Sequence, residues 1–171
     1  MEGDMKASLT WIVLAAIVAT LACATALRAT PSSGFTGTKV GMARFDEIDL
    51  HNVPHPANVW QAMVRTHGLS DVYVQSNLFA AGGGHSGWHT HPGPSLILVT
   101  AGTITAYEGD DPSCTPQVYP HGTGFVDPGG DHVHLLRNED PNVEASTVAV
   151  QLLPADADRR IDTPAPGNCP F

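Results

Sequence analysis

The sequence predicts an all-β domain, a sandwich or a barrel. Two observations carry that expectation. Eight or nine short runs rich in β-branched and aromatic residues follow one another between residues 60 and 153, and Gly, Pro, Asn or Asp punctuates nearly every gap. No run beyond residue 27 carries a convincing helical period, and no internal repeat is present. A chain of 171 residues then accommodates one domain with a sizeable core.

The elements follow in order. Residues 1–26 read as a signal peptide or an N-terminal membrane anchor. Residues 8–27 carry no charge, and small residues follow the apolar centre, including Ala24-Thr25-Ala26. Residues 27–58 read as a linker or N-terminal arm, because residues 29–41 are small, polar and Gly-rich. Residues 43–50 could form one short strand or turn, and two prolines make residues 51–57 a loop. The main domain is expected over residues 59–153. It opens with a hairpin of residues 60–66 and 72–79, followed by a Gly-rich joint at 80–87. Strands are expected at 95–100, 103–107, 117–119, 124–127, 131–138 and 145–153. Residues 154–171 are polar and Pro-rich, and read as an extended tail over the surface.

Charge and cysteine content narrow the function classes. A formal net charge of −9 repels nucleic acid and anionic lipid heads, so neither is an expected partner. Membrane contact is expected only through the N-terminal segment, if that is retained. Of the three cysteines, Cys23 lies in that segment, leaving Cys114 and Cys169. In an exported domain these two are expected to form a disulfide.

The chemistry centres on residues 83–102, GGHSGWHTHPGPSLILVTAG. His89 and His91 are spaced H-x-H, which on a strand puts both imidazoles on one face. Trp88 then faces the opposite way, as a core residue. A second pair, His132 and His134, has the same spacing within GTGFVDPGGDHVHLLRN. Imidazole suits Zn, Cu, Fe and Ni, so paired histidines on two strands suggest a metal centre. His51, His55, His67 and His121 lie in expected loops and read as solvated. His85 stands close to the motif, at the expected mouth of the barrel. Glu108 reads as a solvated acid.

These motifs resemble those of the cupin superfamily. Its first motif is G-x5-H-x-H-x3/4-E-x6-G. Here Gly83, His89, His91, Ser95 and Gly102 keep every spacing, with serine at the glutamate position. Its second motif is G-x5-P-x-G-x2-H-x3-N. Here Gly122, Pro128, Gly130, His134 and Asn138 match, with one extra residue before the histidine. The resemblance covers residues 60–153 and implies a double-stranded β-helix, a jelly-roll barrel with a metal inside. It implies His89, His91 and His134 as ligands, with His132 as the alternative to His134 because of the extra residue. It also makes a homodimer an expectation.

Serine in place of the motif acid leaves three neutral histidines and open positions, the pattern of catalytic rather than structural metal sites. Such a centre keeps nearly the full charge of a dication and favours a small anionic ligand. The cation could be Fe, Zn, Cu, Mn or Ni. Three-histidine cupins of this kind include thiol dioxygenases and diketone-cleaving oxygenases, so the resemblance favours a dioxygenase-like oxidoreductase. A redox-silent Zn or Mn isomerase, lyase or hydrolase is the alternative. A binding module without turnover is a third.

Overall fold

In a computed structural model of the protein, the structure describes residues 29–52 and 60–171. The expected signal peptide or anchor at residues 1–26 lies outside them, as does His55. The described residues are all-β. No helix among them is long and apolar enough to cross a membrane.

The strands in chain order are β1 (Phe35–Phe45), β2 (Asp49–Asn52), β3 (Ala62–Arg65), β4 (Ser70–Phe79), β5 (His89–Thr90) and β6 (Ser95–Ala101). They continue with β7 (Thr103–Glu108), β8 (Gln117–Pro120), β9 (Gly124–Asp127), β10 (His134–Arg137), β11 (Ala145–Pro154) and β12 (Ile161–Asp162). One sheet has the order β1-β4-β11-β6-β9 and the other β12-β5-β10-β7-β8, with β2 and β3 forming a separate ribbon. Every pairing is antiparallel. Consecutive strands alternate between the sheets along much of the chain, which is how a jelly roll closes.

Alternation of side chains builds the interior. Along β11 the odd-numbered residues from Ala145 to Leu153 are buried, while the intervening ones are more accessible. Phe79, Val99, Ile104, Ala106, Leu136 and Ala145 fill one end of the barrel. Trp88, Tyr107 and Leu135 form a second cluster against the Cys114–Cys169 disulfide. Trp88 therefore packs in the core, as its alternation with His89 requires. Full burial of each large side chain is worth roughly 1.5–3 kcal/mol.

Two local expectations are corrected. The stretch read as linker contains β1, which pairs with β4 along ten register positions with one irregularity between Lys39 and Gly41. Before it, Ser33 bridges His85 and Thr30 N donates to Thr163 O. Small residues here meet a ready strand edge, and edge pairing overrides weak local propensity. The hairpin of 60–66 with 72–79 does not form. Both edges of β4 are occupied, by β1 and β11, so β3 pairs with β2 instead.

The tail returns to the barrel. β12 pairs with β5, and Thr163 N donates to Trp88 O. Asn168 Nδ2 donates to the carbonyls of Glu108 and Asp111, and the Phe171 ring meets Tyr107 edge-on. The disulfide closes a loop with a sequence separation of 55. By the chain-entropy model, that contributes about 4 kcal/mol at most. Replacing both cysteines with serine is expected to lower the midpoint of thermal unfolding, read by circular dichroism. An unchanged midpoint would show that the bridge contributes nothing net.

Candidate metal centre

Strand register assembles the site. β5 is only two residues long, yet it places His89 directly opposite His134 on β10. On its other edge His89 faces Asp162, and His134 faces Glu108. In the other sheet a second row crosses the barrel: Gln151 opposite Ser95, and Ser95 opposite Asp127. Directly opposed residues share a face, so both rows turn inward. Gln151, Ser95 and Asp127 are each at most 2 % exposed.

His91 lies just past β5, in the Pro-Gly turn. Its carbonyl accepts from Gly130 N, which ties this turn to the Pro128-Gly129-Gly130 turn after β9. Gly129 has a positive φ of 73°, and a Cβ there would run into the backbone of Gly93. Gly129, at a variable position of the second motif, thus lets the two turns touch.

The structure brings His89, His91 and His134 together: one ring nitrogen from each lies within 4.8 Å of the others, and all three residues are buried. His89 Nδ1 donates to Gly87 O at 2.8 Å and His91 Nδ1 donates to Arg159 O at 2.6 Å. A carbonyl only accepts, so each Nδ1 carries the proton and each Nε2 keeps its lone pair. Gln151 Nε2 lies 3.0 Å from His91 Nδ1 and 3.2 Å from Ser95 Oγ. An amide can present either end, so the backbone carbonyl decides the tautomer.

Burial keeps these rings neutral. It holds His89 well below the ordinary histidine range, helped by His134, Arg160 and His91. It lowers His91 against the opposing pull of the Arg159 carbonyl and Asp127. It lowers His134 to about 4, against the pull of Asp127. Three neutral, buried imidazoles, two with fixed tautomers, suit a divalent transition-metal ion, which takes only deprotonated ligands. The rings face a cavity of about 30 Å³, and a water needs about 10–15 Å³ measured in this way. Gln75, Asn77, Ser86, Gln151, Arg159 and Arg160 complete its polar wall.

His132 stands apart from that trio, in a second group with Asp127 and His134. Its Nδ1 lies 3.1 Å from Asp127 Oδ1 and its Nε2 lies 2.7 Å from Glu108 Oε2. Glu108 is thus not the solvated acid its sequence context suggests. It is half-buried against His132, and burial raises its carboxyl above the usual range. His85 is half-buried in bridges to Ser33 and Arg137, and His51, His67 and His121 are exposed.

Sequence reasoning missed Asp127, Gln151 and Arg159. Asp127 carried a signal, as the only acid on its strand and the residue before the Pro-Gly turn. Arg159 carried none, because a main-chain carbonyl has no sequence signature. Asn138, the last residue of motif two, is fully buried. Its side-chain amide lies near the carbonyls of Phe79, Ala80 and Val143, so it fastens β10 to the end of β4 rather than serving the cluster.

No protein-family model matches the chain, and no curated protein matches its sequence. Solved structures do match. The polyketide cyclase RemF from Streptomyces resistomycificus aligns over 79% of this chain and 75% of its own, with a TM-score of 0.50 and 12% identity. A cupin-like protein from Thermotoga maritima aligns over 81% and 87%, with a TM-score of 0.47 and 17% identity. A cupin superfamily protein from Desulfitobacterium hafniense aligns over 68% and 82%, at 0.42 and 11%. At such identities the likeness concerns the fold. The chain folds as an antiparallel jelly-roll barrel, a fold it shares with the cyclase, and holds two overlapping groups, His89-His91-His134 and Asp127-His132-His134, able to bind a metal ion.

Two outcomes are expected. The buried histidines bind fewer protons folded than unfolded, so they favour the metal-free folded state fully above pH 6.5, their unperturbed value. That contribution fades as pH falls toward the His134 value of about 4. Thermal melts of metal-free protein from pH 8 to 4 check it; a midpoint flat across that window contradicts it. Gly129→Ala is expected to destabilise the fold by about 1–3 kcal/mol through its strained φ and the contact with Gly93. Urea unfolding measures that cost.

Proposed function

We propose that the chain is an exported metalloprotein that acts on a small anionic molecule through a centre held by His89, His91 and His134. The observation that carries this reading is the pair of carbonyl-locked imidazoles, His89 and His91, meeting the buried His134 ring with lone pairs available. Three protein ligands with open positions is the catalytic arrangement. A bound redox metal would supply oxygen chemistry there, and a dioxygenase-like oxidation is the favoured activity.

The chain's own residues bind and orient. Arg159 is half-buried on the cavity wall and has no carboxylate within 4 Å among the described residues. Its guanidinium meets the Gln151 amide oxygen and the Tyr73 ring, with Asp162 acting on it only at longer range, so a partly desolvated positive charge remains to favour an anionic ligand beside it. Arg160 is tied to Asp162 and to the Ser86 carbonyl, and holds the tail across the cavity. The apolar walls from Phe79, Ile97 and Leu136 exclude water.

A second reading is a redox-silent isomerase, lyase or hydrolase using Zn. The Cys114–Cys169 disulfide favours it. A disulfide belongs to an oxidising compartment, where Zn and Cu compete strongly for imidazole sites. The same disulfide, with the uncharged run at residues 8–27, supports export. The exposed apolar residues Leu96, Leu98 and Val126 on one sheet face support pairing of two copies.

Elemental mass spectrometry of the purified chain tests the centre. One metal per chain is expected, lost in His134→Ala and retained in His132→Ala. Iron would direct oxygen-uptake assays, and zinc would direct isomerase, lyase and hydrolase screens. No metal after reconstitution with Fe, Zn, Cu, Mn and Ni would overturn the reading.

A further inference from the structure

We infer that Asp127 is the carboxylate ligand of this centre, supplied from β9 in place of the acid that Ser95 lacks on β6. The inference rests on the reading of His89, His91 and His134 as metal ligands.

Three observations meet at Asp127. The first is register. Asp127 is the direct cross-strand partner of Ser95, the position at which the first motif carries its acid. Directly opposed side chains stand about 4.5–5.5 Å apart at Cβ on the same face. An acid moved from one strand to its neighbour at this row still projects into the same interior. Ser95 itself is turned to the Gln151 amide.

The second is an orphaned oxygen. Asp127 Oδ1 accepts from Gly129 N at 3.1 Å and from His132 Nδ1 at 3.1 Å. Its other oxygen, Oδ2, is buried and has no hydrogen-bond partner. A buried carboxylate oxygen is costly unless it meets a donor or a cation.

The third is what that oxygen faces. Oδ2 lies 4.0 Å from His91 Nε2, the nitrogen left with a lone pair by the Arg159 carbonyl. Two lone-pair donors face each other here. Zn–N and Zn–O bonds are each about 2.0–2.2 Å, so one ion can touch both atoms across that gap. Oδ1 also lies 3.6 Å from His134 Nδ1. The carboxylate therefore stands against two of the three histidines.

The same geometry gives His132 and Glu108 a task. His132 lies between Asp127 Oδ1 and Glu108 Oε2, so the pair braces the carboxylate from behind. His132 is then a positioning residue. With Asp127 included, a bound dication and its protein ligands carry one net positive charge, where three histidines alone leave two.

Titration of the metal-depleted full chain with Co(II), followed by visible absorption, and zinc competition against a chromophoric chelator test this. Asp127→Asn is expected to weaken binding by more than about 100-fold, beyond the 10–100-fold typical of groups that only support a ligand, and to change the Co(II) spectrum. Ser95→Glu combined with Asp127→Asn is expected to recover most of the affinity, by returning the acid to β6. Asp127→Asn with near-parental affinity and spectrum overturns the inference and leaves the three-histidine reading standing. A parent that binds no metal overturns both. A crystal structure of the zinc-loaded parent decides the matter without any variant that might fold poorly. Asp127 Oδ2 is expected within about 2.0–2.2 Å of the ion, and a carboxylate beyond bonding distance overturns the inference.

Discussion

Cross-strand register is the constraint on which the rest of this structure depends. Because side chains alternate with a period of two, a slip of one residue would turn a whole row outward. The pairing of His89 with His134 and of Ser95 with Asp127 brings donors from four strands into one interior. β5 has too little length to set its own register. It is held from outside, by β10 on one edge and β12 on the other, and by the turn that follows His91. The glycines at 93 and 129 serve the same end: a Cβ at 129 would strike the backbone of Gly93, and one at 93 would strike the Leu152 carbonyl on β11.

Placing polar groups inside a barrel has a cost that this chain meets group by group. Gln75 donates to Asn77, and Asn77 donates to Thr147, in a buried relay along the barrel wall. Ser86 Oγ accepts from Leu136 N and donates to the Gly87 carbonyl. Six buried side-chain atoms among the described residues lack a hydrogen-bond partner, and two of them, Asp127 Oδ2 and His134 Nδ1, lie at the histidine cluster. Burial also decides protonation. With water excluded, the charged form of each clustered histidine is disfavoured more than nearby Asp127 can restore.

Much of this was legible in the residues. The alternating strands identified an all-β sandwich or barrel, the family resemblance carried by the H-x-H spacing and the glycines at fixed offsets implied a jelly roll, and the two cysteines were paired correctly. Other features were hidden for physical reasons. β1 is made of small and polar residues whose strand propensity is weak, and it exists because β4 offers an edge. The ribbon of β2 and β3 depends on which edges remain vacant, a property of the assembled sheet. The alternation of faces also left His132 and His134 equivalent, and only the spacing to Asn138 favoured His134. They differ because β10 begins at His134, whereas His132 precedes it and meets two acids. The tail looked like a surface strap, yet its main chain supplies the Arg159 carbonyl.

That carbonyl links the two ends of the domain's synthesis. The tautomer of His91 depends on a residue near the C-terminus, in a segment anchored by β12 and by Cys169. β5 itself gains one of its two neighbours only when β12 arrives. An emerging chain can therefore carry both histidine motifs and still lack a formed site. The arrangement of the three rings is complete only when the tail is docked.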